Sequence, residues 1–224
     1  MKPAVLGAAA VLALSALLLT GLSAQAQAQA PTQGAGVPVG PGGPLHEAAR
    51  MDHGRGIMSL MLGGADPNGR DAKGNTALHV ALIEESGGAV EALLKHPGTD
   101  VNAINQAGET PLMLAAIKGR LDWVQALVKR GALVNEPGWS ALHYAASGPE
   151  PAVVRWLVQQ GAAINARSPN GSTPLMLAAG YGGITSAEIL LAAGADASLR
   201  NEQGLSAADF ARKAGREGLA AKLK

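Results

Sequence analysis

The chain has no cysteine. That excludes disulfides, thiolate metal sites and a cysteine nucleophile, and it leaves burial and packing to hold the fold together. Aromatic residues are nearly as scarce, with three Trp, two Tyr and one Phe among 224 residues. A single globular core leans on such groups because each buries so much surface. The apolar share of 47% is rich in alanine and suits thin helices packed closely in a repeated row. An excess of one charge is also missing. The net charge is +1, and without Lys2 near the start the bases and acids balance. No basic stripe is visible, which speaks against nucleic-acid binding.

Long hydrophobic runs are absent with one exception, Val5 to Leu22. It follows a short positive start and leads to Ala24-Gln25-Ala26, a small-x-small site. This is the form of a secretory signal peptide, expected over residues 1–26. Ala28 and Ala30 offer alternative cleavage frames, and an uncleaved membrane anchor is the rival reading, since the run is long enough to span. Residues 27–44 hold four prolines and five glycines and read as a Pro/Gly linker too poor in apolar groups to fold.

From Leu45 onward the sequence repeats. Thr76-Ala77-Leu78-His79, Thr110-Pro111-Leu112-Met113, Ser140-Ala141-Leu142-His143, Thr173-Pro174-Leu175-Met176 and Ser206-Ala207-Ala208-Asp209 stand in phase, each with a glycine two residues earlier. A second element recurs as Gly64-Ala65-Asp66-Pro67-Asn68, Gly98-Thr99-Asp100-Val101-Asn102, Gly131-Ala132-Leu133-Val134-Asn135 and Gly161-Ala162-Ala163-Ile164-Asn165. A period near 33 residues marks a solenoid. Thr or Ser at the start of each unit predicts an N-cap, and Pro111 and Pro174 suit the first helical position. These motifs resemble ankyrin repeats of the exported bacterial type. The resemblance implies an all-α solenoid of stacked helix-turn-helix units joined by short β-hairpins. Six units are expected, near 45–70, 71–104, 105–135, 136–167, 168–200 and 201–224, the outer two acting as caps.

Two departures stand out. Asn135-Glu136-Pro137-Gly138 is about three residues short of the other hairpins, which predicts a stunted finger. Glu85-Ser86-Gly87-Gly88 predicts a lengthened connection between the helices of its unit.

No catalytic, cofactor-binding or metal-binding residues are expected. His46, His79 and His143 recur at one repeat position and read as structural, each bonded to a capping hydroxyl and nearby backbone. His53 and His96 lack a second ligand at metal spacing. Glu84 and Glu85 point in different directions on a helix. Gly40-Pro41-Gly42-Gly43-Pro44 lacks the lysine of a phosphate loop.

The resemblance implies a non-catalytic scaffold that binds one or more proteins on a concave face of hairpin tips and first-helix positions. Carried over unit by unit, that face comprises Lys73, Asn75, Glu109, Ile117, Lys118, Trp139, Asn170, Ser172 and Tyr181. Trp139 reads either as an interface anchor or as a lid over the shortened hairpin, and Tyr181 either as a contact or as packing on the next unit. Trp123 and Trp156 read as core. The leader implies the periplasm, no feature argues for anything beyond a monomer, and no nucleic acid or membrane partner is expected once the leader is removed. Alternatives are secretion toward a host, anchoring by an uncleaved leader, or support of a periplasmic enzyme such as one in peroxide defence.

Overall fold

A hydroxyl or turn residue opens each first helix, and three residues bend the chain back into a second. The computed structural model describes residues 42–223, so the expected leader and most of the linker lie outside the described residues. Twelve α-helices follow among them: α1 (Pro44–Arg50), α2 (Gly54–Leu62), α3 (Ala77–Ile83), α4 (Gly87–Lys95), α5 (Pro111–Ile117), α6 (Leu121–Lys129), α7 (Ala141–Ser147), α8 (Pro151–Gln159), α9 (Pro174–Gly180), α10 (Ile184–Ala192), α11 (Ala207–Lys213) and α12 (Glu217–Lys222). No β-strand occurs among the described residues. Four of the five hairpins are turns closed by backbone hydrogen bonds, not ladders.

The helices are too short to persist alone, since an isolated helix under ~12 residues is marginal in water. They stand because each is capped and stacked. Thr76, Thr110, Thr173 and Ser206 accept the backbone N–H of the third helical residue. Pro111 and Pro174 sit at the first helical turn, where a missing N–H breaks nothing. Leu78, Leu112, Leu142 and Leu175 are buried, and so are the alanine pairs Ala115-Ala116, Ala145-Ala146 and Ala178-Ala179. Small alanines let the first helices of successive units approach closely. Gly182 carries this furthest, because a Cβ there would overlap the Ala146 carbonyl of the preceding unit.

Asparagines tie the second helices of successive units. Asn68 Nδ2 donates to the Gly98 carbonyl (2.8 Å) and its Oδ1 accepts from Asp100 N–H (2.8 Å). Asn102 does the same to Gly131 (3.0 Å) and Leu133 (2.9 Å), and Asn135 to Gly161 (2.9 Å) and Ala163 (2.8 Å). Asn165 Oδ1 accepts from Asp196 N–H (2.9 Å). The recurring asparagine of the second motif is therefore a rail along the solenoid, built from bonds that each satisfy a helix-end or turn group.

The expected long connection at Glu85-Ser86-Gly87-Gly88 does not occur. Gly87 and Gly88 form the first turn of α4, and the connection is the same three residues found between α5 and α6. Glu85 takes a left-handed φ of 59° where Gly119 and Gly215 take 71°, so the turn survives without its usual glycine. Asp52 does likewise at φ 53°, and its Oδ1 accepts the Ala89 N–H of the next unit (2.8 Å).

The shortened hairpin is as expected. In the other inner units one N–H closes the finger: Asp71 to the Asn75 carbonyl (2.9 Å), Asn105 to Glu109 (3.0 Å) and Ser168 to Ser172 (3.0 Å). The turn at Glu136-Pro137-Gly138 has no such bond.

Candidate protein-binding face

Three of the hairpin tips are positioned by first-helix histidines. His79 Nδ1 lies 3.2 Å from the Thr76 N–H and 2.9 Å from its hydroxyl, while Nε2 lies 3.1 Å from the Glu109 carbonyl of the next unit. A backbone N–H can only donate and a carbonyl only accept, so the neutral tautomer with hydrogen on Nε2 is selected. His143 repeats this with Ser140 and the Ser172 carbonyl (3.1 Å), and His46 Nε2 donates to the Asn75 carbonyl (2.9 Å). Burial lowers His79 and takes His143 down to about 4. These histidines are structural struts. Among the described residues no cluster of side chains has the makings of a metal site.

That same strut decides which hairpin residues face outward. Asn75, Glu109 and Ser172 follow the hairpin glycine, and their carbonyls take the histidine bonds. Their side chains turn inward and are buried. Asn75 is 5% exposed and accepts from Asn105 Nδ2 (2.9 Å). Glu109 is 4% exposed; its carboxylate accepts from Asn105 Nδ2 (3.0 Å) and from the Tyr144 hydroxyl (3.2 Å). Burial and that carboxylate push the Tyr144 phenol upward. Ser172 is 1% exposed, its hydroxyl near Asn201 Nδ2 (3.4 Å). Expected as exposed, these three are instead the internal polar frame that ties one hairpin to the next.

Of the remaining expected residues, Lys73 is exposed at its tip. Ile117 is half-buried against the core. Lys118 is half-buried and pairs with Glu85 of the preceding unit (3.0 Å). Asn170 is half-buried, its Oδ1 accepting from the Ser168 hydroxyl (2.6 Å) and Ser172 N–H (3.1 Å). Tyr181 is half-buried, edge to face with Phe210 of the last unit at 6.3 Å between ring centres. Trp139 is half-buried, edge to face with His143 (5.4 Å) and Tyr144 (6.4 Å). Trp123 is buried beneath the Arg120 guanidinium, 3.7 Å from its ring centre, whereas Trp156 is only half-buried at the edge of the core.

Beside Trp139 the stunted finger leaves a cleft of about 430 Å³. Its walls come from successive units: Ile104 at the end of one and Met113 in the next, then Glu136 and Trp139, then Pro169 and Asn170. Sequence reasoning placed Trp139 and Asn170 here but missed Ile104, Met113 and Glu136. Ile104 signals itself by being an apolar residue, half exposed, where other units carry Arg70, Arg167 and Arg200.

A family model described as "Ankyrin repeats (3 copies)" matches residues 45–137 and 132–201. The chain is 32% identical over 171 residues to a putative palmitoyltransferase ZDHHC13 of Danio rerio, covering 76% of this chain and 22% of that protein. It is 33% identical over 158 residues to rabankyrin-5 of Homo sapiens, covering 68% and 14%. The chain thus spans under a quarter of the length of either relative. Among solved structures, the crystal structure of the ankyrin repeat domain of Bcl-3 matches with a TM-score of 0.66 at 32% identity, over 80% of this chain and 82% of that one.

Proposed function

This chain belongs to the ankyrin-repeat family, and from that premise we propose that it is a non-catalytic scaffold of the bacterial periplasm, a monomer that holds one or more proteins on the face formed by its hairpin tips and first helices. A constant frame with a variable edge is what a recognition surface requires. The observation that carries the proposal is the contrast along that edge. Buried hairpin residues are small or polar and bonded to the frame, while the residue before each hairpin glycine, exposed or half-buried, changes from unit to unit: Lys73, Ala107, Pro137, Asn170, Gln203. The periplasmic assignment is supported by the leader-like run Val5 to Leu22 and the site Ala24-Gln25-Ala26. The non-catalytic assignment is supported by the structural role of the histidines His79 and His143, which are fully engaged in frame bonds.

The test is capture of partners from periplasmic extract on the full chain tagged at its C-terminus, compared with a Lys118→Glu/Tyr181→Ala form of unchanged thermal midpoint. A periplasmic protein held by the first and lost by the second is the expected result. Capture of nothing, together with recovery of the chain in the culture medium, would discard the resident-scaffold reading.

A further inference from the structure

Successive hairpin tips are joined edge to edge by one backbone bond. Gln106 N–H donates to the Lys73 carbonyl (3.0 Å), and Glu202 N–H donates to the Asn170 carbonyl (3.1 Å). Two such bonds are missing in the middle of the row. In the unit after Gln106 the finger is about three residues short, so nothing reaches the Ala107 carbonyl, which stands where the Lys73 and Asn170 carbonyls stand in their units and accepts no backbone bond. One unit further on, the donor position is held by Pro169, which has no N–H to give. The gap is thus made twice, once by deletion and once by proline, and the cleft beside Trp139 lies in it.

The lining of that cleft is chemically one-sided. Ile104, Met113, Trp139 and Pro169 are apolar, and Glu136 is the charged group among the lining residues. Partial burial raises the Glu136 carboxyl above the ordinary glutamate value. It has no ion pair among the described residues. The guanidiniums of the flanking segments are occupied elsewhere, Arg130 with the His96 carbonyl (3.2 Å) and Arg167 with the Arg200 carbonyl (3.1 Å). An unneutralised, half-buried carboxylate between apolar walls and an indole is costly by itself. It is offset by a cation that can be desolvated and can lie against an aromatic ring. Arginine meets both conditions better than lysine, because its planar guanidinium is weakly hydrated, binds a carboxylate through two N–H groups and stacks on rings.

We propose that the gap in the hairpin row is a recognition slot for an extended peptide segment of the bound protein, which lays an arginine side chain between Glu136 and Trp139 and donates a backbone N–H to the Ala107 carbonyl. The peptide replaces the missing finger: it supplies the ladder bond the stunted unit cannot make, and its arginine supplies the missing counter-charge. This deepens the scaffold reading and rests on it.

The test is fluorescence anisotropy of the full chain with dye-labelled heptapeptides of sequence Gly-Ser-Val-Xaa-Val-Ser-Gly, in which Xaa is arginine, citrulline or glutamate. The arginine peptide is expected to bind about tenfold or more tightly than the neutral citrulline form, with the glutamate form weakest. Glu136→Gln, at an unchanged thermal midpoint, is expected to bring arginine and citrulline to within about twofold. Trp139→Phe is expected to weaken the arginine peptide while keeping its rank. Equal binding of the arginine and citrulline peptides, a preference that survives Glu136→Gln, or no saturable binding up to about 5 mM of arginine peptide (the affinity scale of the weakest specific contacts) would overturn the slot. The two proposals fail separately. A captured periplasmic partner retained by Glu136→Gln but lost by Lys118→Glu/Tyr181→Ala removes the slot and leaves the scaffold; absence of any partner, with arginine-selective peptide binding intact, does the reverse.

Discussion

His79 and His143 are 0% exposed and hold their bonds only as neutral rings. A folded-state pKa below the ordinary histidine value means that the unfolded chain binds protons first as pH falls, so stability is fully present above about pH 6.5 and drains away below it. For His143, held at about 4, the loss over the window from pH 6.5 to 5 is on the order of 2 kcal/mol, before most carboxylates titrate. Urea denaturation at those two pH values checks this. His143→Gln is expected to be less stable at pH 7 but flatter across the window, and an unchanged slope would mean that another group carries it. Gly182 makes a second prediction. Since a Cβ there overlaps the Ala146 carbonyl, Gly182→Ala should cost about 2 kcal/mol or more through overpacking of backbone on backbone, read as a fall in the denaturation midpoint at constant slope. The glycine next to it, Gly183, has no such neighbour, so Gly183→Ala is the control. The sequence already assigned the histidines to the frame, because His79 and His143 recur with a capping hydroxyl three residues before; His46, expected to share that bond, has Gly43 there, and its Nδ1 takes no hydrogen bond. It misplaced Asn75, Glu109 and Ser172. Alignment fixes a residue's place in the turn but not the direction of its side chain, which here is set by the histidine of the preceding unit pulling the carbonyl from one side.

Three-residue connections between paired helices show how the same turn is made with different residues. In four of the six the middle residue is left-handed, Asp52, Glu85, Gly119 and Gly215, a conformation that costs a non-glycine residue about 1 kcal/mol. Glu85 and Asp52 both bear that cost, but only Asp52 takes up a backbone N–H of the next unit in return. Glu85→Gly is therefore expected to be neutral or stabilising by up to ~1 kcal/mol, since its exposed pair with Lys118 contributes little. Asp52→Gly is expected to destabilise by ~1 kcal/mol through the unpaired Ala89 N–H. Thermal melts of the two variants in parallel check the opposition in sign. A doubled glycine reads from sequence as a long loop; in the fold it starts α4, where Gly88 packs against Asp52. Counting residues did reveal the short finger. Pro169 in the same row carries no signal in the sequence, because only the register of neighbouring tips shows that it stands where an N–H is needed.

At the scale of the molecule, units depend on their neighbours, and no single unit buries its own apolar face. The two ends differ accordingly. The last unit turns Arg212, Lys213 and Lys222 outward, whereas the first leaves Met51 and Leu62 at 69% and 86% exposure. Period and capping made the architecture legible because they are local and repeated; the cleft was not, since it arises where successive units fail to match. The two lines of bonds that run along the solenoid also differ. The asparagine rail is unbroken from Asn68 to Asp196, and the tip ladder is cut between Gln106 and Asn170. A rod stitched along one edge and slit along the other is not equally stiff in all directions. It bends most readily by opening or closing the slit, with the asparagine edge as the pivot. Spin labels at Lys73 and Gln203, on either side of the slit, should therefore show a broader distance distribution than labels at Asp66 and Ser198 on the stitched edge, and inserting three residues between Asn135 and Glu136 should narrow it. A segment seated in the slit would act as a splint, so that holding a partner and setting the curvature of the scaffold become one event.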